Sequence, residues 1–182
     1  MKNRSKARIR PLGRCVQILA LALLPAACSA GEGDFAVGDA VREIDTEAHR
    51  VAVSVVVDDL RLAWSVAELP DGTLLITEKN GLLHHVDPSN GEQRLVDGVP
   101  ESVKHGQGGL MAVRPHPDFA DNRWVYLTYS IAVDEEFATR VARGRLENGR
   151  LEGLEVLFTA EPARKSGRHF GSDVVFDGQG YL

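Results

Sequence analysis

The chain has 182 residues, of which 43% are hydrophobic and 26% charged, and this ordinary globular composition excludes an intrinsically disordered protein. The 26 acidic residues outnumber the 21 basic ones, and six of the basic residues precede Cys28 in a stretch without any acid. The remainder is therefore strongly acidic, which excludes a nucleic-acid partner.

The first 30 residues have the three-part pattern of a secretory signal. A basic stretch is followed by an apolar run over residues 16–24, and small residues come next. The apolar run is far shorter than the roughly 20 residues that a membrane-spanning helix needs. We therefore predict that residues 1–30 are a signal peptide and that the protein is exported to the periplasm.

Two interpretations of the cleavage site remain open. Cys28 follows two alanines, as the acylated cysteine of a bacterial lipoprotein does, although Pro25 stands where a branched aliphatic residue is more usual. In this interpretation a lipid on Cys28 anchors the protein to the membrane, whereas the alternative is an ordinary cut near Ala30. The other cysteine, Cys15, lies ahead of either cut. No disulfide and no thiol-based site is therefore expected in the mature protein.

The exported part divides into a linker and a β-rich body. Residues 31–50 are small and acidic without apolar periodicity, which predicts a linker. Residues 51–182 are the predicted folded part, and they open with a β-branched run at 51–57 that indicates a buried strand. Turn sequences such as Pro70-Asp-Gly and Asn90-Gly then separate four short strands that we expect to pair antiparallel. These strands are predicted at 64–69, 73–77, 82–86 and 93–96.

A second unit follows the same plan, and a third one begins. The second unit has predicted strands at 109–113, 124–129, 139–143 and 154–158, and the third has its first strand at 172–176. The turn residues Asp71, Asp118 and Asp177 recur at separations of 47 and 59 residues, which is typical of four-stranded propeller blades. We therefore predict an all-β fold made of the first two to three blades of a β-propeller. A β-sandwich is the competing architecture, because it also uses many short strands.

Two residues at the starts of predicted inner strands could carry chemistry. His169 follows Gly167-Arg168, and an imidazole in such a position can act as a general base near neutral pH. Gln107 lies in a glycine-rich stretch where a flat ligand could approach the backbone and bond to the amide. The alternatives are a histidine that only bonds a backbone carbonyl and a glycine turn between blades. No phosphate loop, nucleophile elbow or metal-ligand spacing is present in the sequence.

Taken together, the ordered motifs resemble the glucose/sorbosone dehydrogenase family, and more closely its aldose sugar dehydrogenase branch. The resemblance runs from about Val57 to the end of the chain. Its carriers include Trp64-Ser-Val-Ala with Leu69-Pro-Asp-Gly, His105-Gly-Gln-Gly-Gly-Leu, His116-Pro-Asp-Phe and Gly167-Arg-His-Phe-Gly. Two departures from the usual pattern are Ala63 before the tryptophan and Ala112 after the glutamine loop.

The resemblance implies a six-bladed propeller that oxidises aldose sugars to lactones with pyrroloquinoline quinone (PQQ) and passes electrons to an external acceptor. By it, His169 is the general base and Gln107 contacts the cofactor. The basic residues for the quinone carboxylates and the calcium-binding loop are expected beyond Leu182. Our hypothesis from the sequence is that this chain is an incomplete form and is inactive alone. The alternatives are a non-catalytic exported binding propeller of the same superfamily and a metal-dependent lactonase propeller.

Overall fold

The computed structural model describes residues 40–182. The predicted signal peptide, residues 31–39 of the predicted linker and the lipidation candidate Cys28 lie outside these residues. The longest helix of the described part has four residues, so no described helix is long enough to cross a membrane.

The described part begins with a two-stranded hairpin. Strand β1 (Ala40–Asp45) pairs antiparallel with β2 (Arg50–Ser54), and the Thr46 hydroxyl donates to the carbonyl of His49 across the turn at 2.7 Å. Residues 40–45 of the predicted linker thus form a strand. The prediction of a buried strand at 51–57 is wrong, because every residue of β2 is exposed. The reason is that β2 pairs with β1 alone and belongs to neither of the larger sheets.

The first four-stranded sheet confirms the first predicted unit. It contains β3 (Ala63–Glu68), β4 (Leu74–Glu78), β5 (Leu82–Asp87) and β6 (Glu92–Leu95), paired antiparallel in chain order. The β3–β4 turn forms as its sequence predicts, since the Asp71 carboxylate accepts the backbone N–H of Thr73 at 3.0 Å and Gly72 takes a φ of +83°.

The second sheet repeats this plan with longer strands. It contains β7 (Leu110–Pro115), β8 (Trp124–Val133), β9 (Glu136–Glu147) and β10 (Arg150–Thr159), again antiparallel in chain order. One turn of helix, α1 (Phe119–Asn122), occupies the predicted turn between β7 and β8. The two sheets are two successive blades of a β-propeller, so the predicted all-β propeller fold is confirmed.

The core lies between the two sheets. Leu75 and Leu83 of the first sheet and Val113 and Leu127 of the second are at most 1% exposed and belong to one apolar cluster. Burial of each such side chain stabilises the fold by roughly 1.5–3 kcal/mol. The Thr77 hydroxyl crosses the interface and donates to the carbonyl of Met111 at 2.5 Å, which fixes β4 against β7.

Residues 172–176 form no strand ladder, although the sequence predicts the first strand of a third unit there. The segment lies along the second sheet instead: the Thr128 hydroxyl donates to the carbonyl of Ser172 at 2.6 Å, and Asp173 pairs with Arg114 at 2.9 Å. Phe176 packs edge-on to Tyr126 at 5.0 Å. A ladder requires a neighbouring strand, and in the described residues no strand pairs with this segment.

Candidate functional site

Two glycine-rich loops meet at the candidate site. The first, residues 105–109, leads into β7, and the second, residues 167–171, follows β10. The backbone N–H of Gln107 donates to the carbonyl of Gly167 at 2.7 Å. The backbone N–H of His169 donates in return to Oε1 of Gln107 at 2.9 Å. The structure therefore brings together the two predicted site residues, which are 62 positions apart in the chain.

The close approach of the loops depends on two of their glycines. A Cβ at Gly106 would lie 2.2 Å from the carbonyl oxygen of Gly167, and the φ of +55° at Gly106 is itself unfavourable for other residues. A Cβ at Gly167 would lie 2.9 Å from the ring of His105. These glycines thus let one backbone pack on another. The sequence pattern alone fits this packing and close approach of a ligand equally well.

The first loop contacts β9 through an aromatic stack. The rings of His105 and Phe137 are stacked with centroids 3.9 Å apart and planes within 8° of each other. Phe137 and Arg164 exchange two backbone hydrogen bonds of 2.8 and 2.9 Å, which tie the second loop to the same strand. The Thr139 hydroxyl also donates to the carbonyl of Phe170. Both loops are therefore held by the rigid second sheet, as a binding site requires.

His169 has a backbone conformation that is uncommon for a residue with a side chain. Its φ is +62°, in the left-handed region, and the residue is exposed. Within residues 40–182 no hydrogen bond reaches its imidazole, so both ring nitrogens can serve a bound molecule. The bond of the alternative interpretation, from the ring to a backbone carbonyl, is not formed within residues 40–182.

Gln107 is exposed as well, and its two side-chain atoms have different roles. Oε1 accepts the N–H of His169, whereas Nε2 bonds to no other described residue. The amide nitrogen can thus donate to a ligand oxygen while Oε1 keeps the loops joined. Gln107 therefore holds the two loops together through Oε1 and presents Nε2 as an exposed donor.

The surroundings of the site are basic. Lys104 precedes the first loop, and Arg164, Lys165 and Arg168 lie in or just before the second, all of them exposed. In the part of the chain that the structure describes, none of these four forms an ion pair. These exposed cations would attract an anionic ligand.

Sequence reasoning missed Lys79, which lies in the turn between β4 and β5. Its ammonium donates to the carbonyl of Gly106 at 2.5 Å, so the first blade contacts the loop that carries Gln107. Nothing in the local pattern indicates this, because the turn Lys79-Asn80-Gly81 is adequately explained as a β4–β5 reversal. The sequence also offers no signal for Phe137, whose ring supports His105 from the long strand β9.

The other histidines lie in separate environments. His84 is buried with Nε2 3.9 Å from a carboxylate oxygen of Glu78, and Nε2 of His85 lies 2.7 Å from the Thr73 hydroxyl. Nδ1 of His116 accepts the backbone N–H of Asp118 at 3.0 Å. Among residues 40–182 no group of three or more histidine, cysteine, aspartate or glutamate side chains is placed to hold a metal ion.

Comparison with known proteins relates this chain to one family. The family model described as Glucose / Sorbosone dehydrogenase matches residues 60–182. The aldose sugar dehydrogenase YliI of Escherichia coli is 40% identical over 136 residues, which is 72% of this chain and 37% of that protein. Quinoprotein glucose dehydrogenase B of Acinetobacter calcoaceticus is 32% identical over 77 residues, covering 41% of this chain and 16% of the relative.

Solved structures agree with the fold. The apo-form of the soluble aldose sugar dehydrogenase from Escherichia coli is 38% identical and superposes with a TM-score of 0.66, covering 69% of this chain and 38% of that one. The PQQ-bound aldose sugar dehydrogenase from Streptomyces coelicolor has a TM-score of 0.61 at 23% identity, covering 78% and 39%. The chain thus spans less than half the length of these relatives.

Proposed function

Because the chain belongs to the glucose/sorbosone dehydrogenase family, we propose that it supplies the general base and a cofactor contact of a PQQ-dependent aldose dehydrogenase. The observation that carries the proposal is the hydrogen bond from the backbone of His169 to the side chain of Gln107. It joins two exposed residues whose imidazole and amide nitrogen form no hydrogen bond within residues 40–182. The names of the relatives, an aldose sugar dehydrogenase and a quinoprotein glucose dehydrogenase, favour this chemistry.

The residues present fit a quinone that carries carboxylates. The Nε2 atom of Gln107 is a neutral donor suited to a quinone oxygen, and the exposed cations Lys104, Lys165 and Arg168 offer charges of the sign that carboxylates need. Gln107 would hold the cofactor from the first loop, and His169 would face the reacting carbon from the second. When bound, the quinone accepts the hydride that leaves the anomeric carbon of the sugar.

The contribution of His169 is the removal of a proton. A neutral imidazole nitrogen accepts the proton of the anomeric hydroxyl, and the oxygen left behind forms the carbonyl of the lactone as the anomeric C–H bond breaks. The ring must start neutral in order to accept that proton. Since general-base catalysis contributes about 10²–10⁴-fold, His169 should matter far more to turnover than to cofactor binding.

Gln107 contributes by position. Its backbone N–H holds the second loop through Gly167, and its Oε1 fixes the backbone of His169. The base is thereby held on a restrained backbone rather than on a free loop. Correct placement of a catalytic group is itself worth a large part of a rate enhancement.

The proposal is tested by separating quinone binding from turnover. The purified chain is titrated with PQQ in the presence of Ca²⁺, binding is followed by absorbance, and dye reduction is measured with glucose. His169→Gln should leave the dissociation constant within about threefold and lower the turnover rate at least roughly 100-fold. The matched control is His49→Gln, an exposed histidine in the β1–β2 hairpin turn, which should change neither.

Two results would contradict the proposal. One is a wild-type chain that binds no PQQ. Bound PQQ without glucose-dependent dye reduction would instead agree with the expectation from the sequence that this chain is inactive alone. The other is a His169→Gln variant that keeps the wild-type turnover rate, since the imidazole would then take no part in the chemistry.

A further inference from the structure

Lys79 joins the first blade to the loop of the candidate site. It lies in the turn after β4, whereas Gly106 precedes β7 in the next blade. Its Nζ donates to the carbonyl of Gly106 at 2.5 Å, directly before Gln107 in the chain. Hydrogen bonds from a charged donor are roughly twice as strong as neutral ones, so this contact is a substantial restraint on a glycine loop.

The backbone of Lys79 is itself firmly held. Its N–H donates to the carbonyl of Leu62 at 2.9 Å. The preceding residue, Glu78, is 2% exposed, and its carboxylate accepts the backbone N–H of Arg61 at 2.7 Å. The N–H of Gly81 closes the turn by donating to the carbonyl of Glu78 at 2.9 Å. The ammonium is thus presented from a rigid turn and not from a mobile surface loop.

The same lysine also contacts the far end of the glycine loop. A Cβ at Gly109 would lie 2.1 Å from the carbonyl oxygen of Lys79 and 2.7 Å from its Cγ, so the loop packs directly on the lysine backbone and stem. The ammonium lies 5.9 Å from the ring centroid of Trp64. No carboxylate of residues 40–182 forms an ion pair with it. Its described polar contact is therefore the loop carbonyl.

We propose that Lys79 is a positioning residue that sets the loop carrying Gln107 before cofactor binds. Glycine-rich segments lose more conformational freedom on ordering than other sequences do. A loop already held at Gly106 and at Gly109 has less freedom left to lose when a ligand binds to Gln107. This inference rests on the proposed function for the identity of the ligand, but the ordering of the loop does not depend on it.

The test compares Lys79→Met, which keeps the stem and removes the charge, with Lys79→Arg, which keeps a donor. The matched control is Lys104→Met, an exposed lysine beside the same loop that forms no ion pair in residues 40–182. Three quantities are measured in the full chain: hydrogen exchange at the Gln107 amide, the dissociation constant for PQQ, and the melting temperature.

In Lys79→Met we expect the Gln107 amide to exchange about tenfold faster and PQQ to bind about tenfold more weakly, as loss of one charged hydrogen bond predicts. Exchange in β4 and β8 should stay unchanged, and Lys79→Arg should recover most of both losses. Lys104→Met serves as a control for exchange only, and its Gln107 amide should exchange at the wild-type rate whatever the effect on PQQ binding. Unchanged exchange at Gln107 in Lys79→Met would overturn the inference, as would faster exchange throughout both sheets. If the wild-type chain binds no PQQ, the proposed function fails, and the exchange data alone still decide the role of Lys79.

Discussion

Substitution of Gly106 by alanine should separate the two loops of the candidate site. The added Cβ would lie 2.2 Å from the carbonyl oxygen of Gly167, a backbone atom that cannot rotate away. Gly171 provides a matched control on the second loop, because its φ of +58° is close to the +55° of Gly106 and a Cβ there meets nothing within 4 Å. The two variants therefore share a backbone strain and differ in one steric contact.

The expected difference in unfolding free energy follows from the interactions that each variant loses. Both alanines adopt the left-handed conformation at a cost of about 1 kcal/mol. In Gly106→Ala the loops must also move apart by roughly 1 Å to reach a permitted contact distance, which breaks the bond from the Gln107 amide to Gly167. The hydrogen bond from His169 to Gln107 is then lost as well, and each of these two hydrogen bonds contributes about 0.5–1.5 kcal/mol. Gly106→Ala should thus be destabilised by ~1–3 kcal/mol more than Gly171→Ala.

The assay is urea unfolding of the two variants and the wild type, combined with hydrogen exchange at the His169 amide. We expect the midpoint of Gly106→Ala to be the lower of the two and the His169 amide to lose its protection in that variant alone. Equal stabilities for Gly106→Ala and Gly171→Ala, with the His169 amide still protected, would refute the argument that loop contact requires a glycine at position 106.

Two further predictions concern hydroxyl groups outside the loops. The Thr73 hydroxyl donates to Asp71 and lowers the pKa of that carboxyl, so its carboxylate stabilises the turn at neutral pH and this contribution is lost as the pH falls through the depressed pKa, below about 4. Thr73→Val should raise the pKa of Asp71 toward its usual value in an NMR titration, and an unchanged pKa would contradict this assignment. The Thr128 hydroxyl accepts the Ala112 N–H at 2.9 Å and donates to the carbonyl of Ser172 at 2.6 Å. Thr128→Val should cost about 1–3 kcal/mol in urea unfolding because it leaves a buried N–H without a partner, and a smaller loss would mean that the segment after His169 is held elsewhere.

The two blades were predictable because their signals are local. Alternating apolar residues and turn sequences such as Pro70-Asp-Gly specify each strand from a few neighbouring positions, and β3 to β10 form where these patterns place them. The exposed β2 and the ladder-free segment 172–176 were mispredicted for the opposite reason. Whether an apolar run is buried or paired depends on which distant elements lie beside it, and that information is absent from its own sequence.

The site was predictable only in part, for the same physical reason. The resemblance implies separate roles for His169 and Gln107, and neither residue alone indicates a hydrogen bond across 62 positions. Lys79 was missed because its long side chain acts at a distance, on the backbone of another blade, and a lysine in a turn is usually only solvated. Residues that position others through backbone carbonyls leave no characteristic sequence pattern, and a structure is needed to find them.

The conformation of His169 connects the fold to the proposed chemistry. A left-handed backbone at a residue with a side chain costs of order 1 kcal/mol or more and persists only where its surroundings enforce it. Here the bond from the His169 amide to Oε1 of Gln107 holds this conformation. The backbone of His169 is consequently committed to Gln107 while its imidazole stays exposed and unbonded within the described chain. A backbone that is fixed and a ring that is exposed suit the general-base role that we propose for His169.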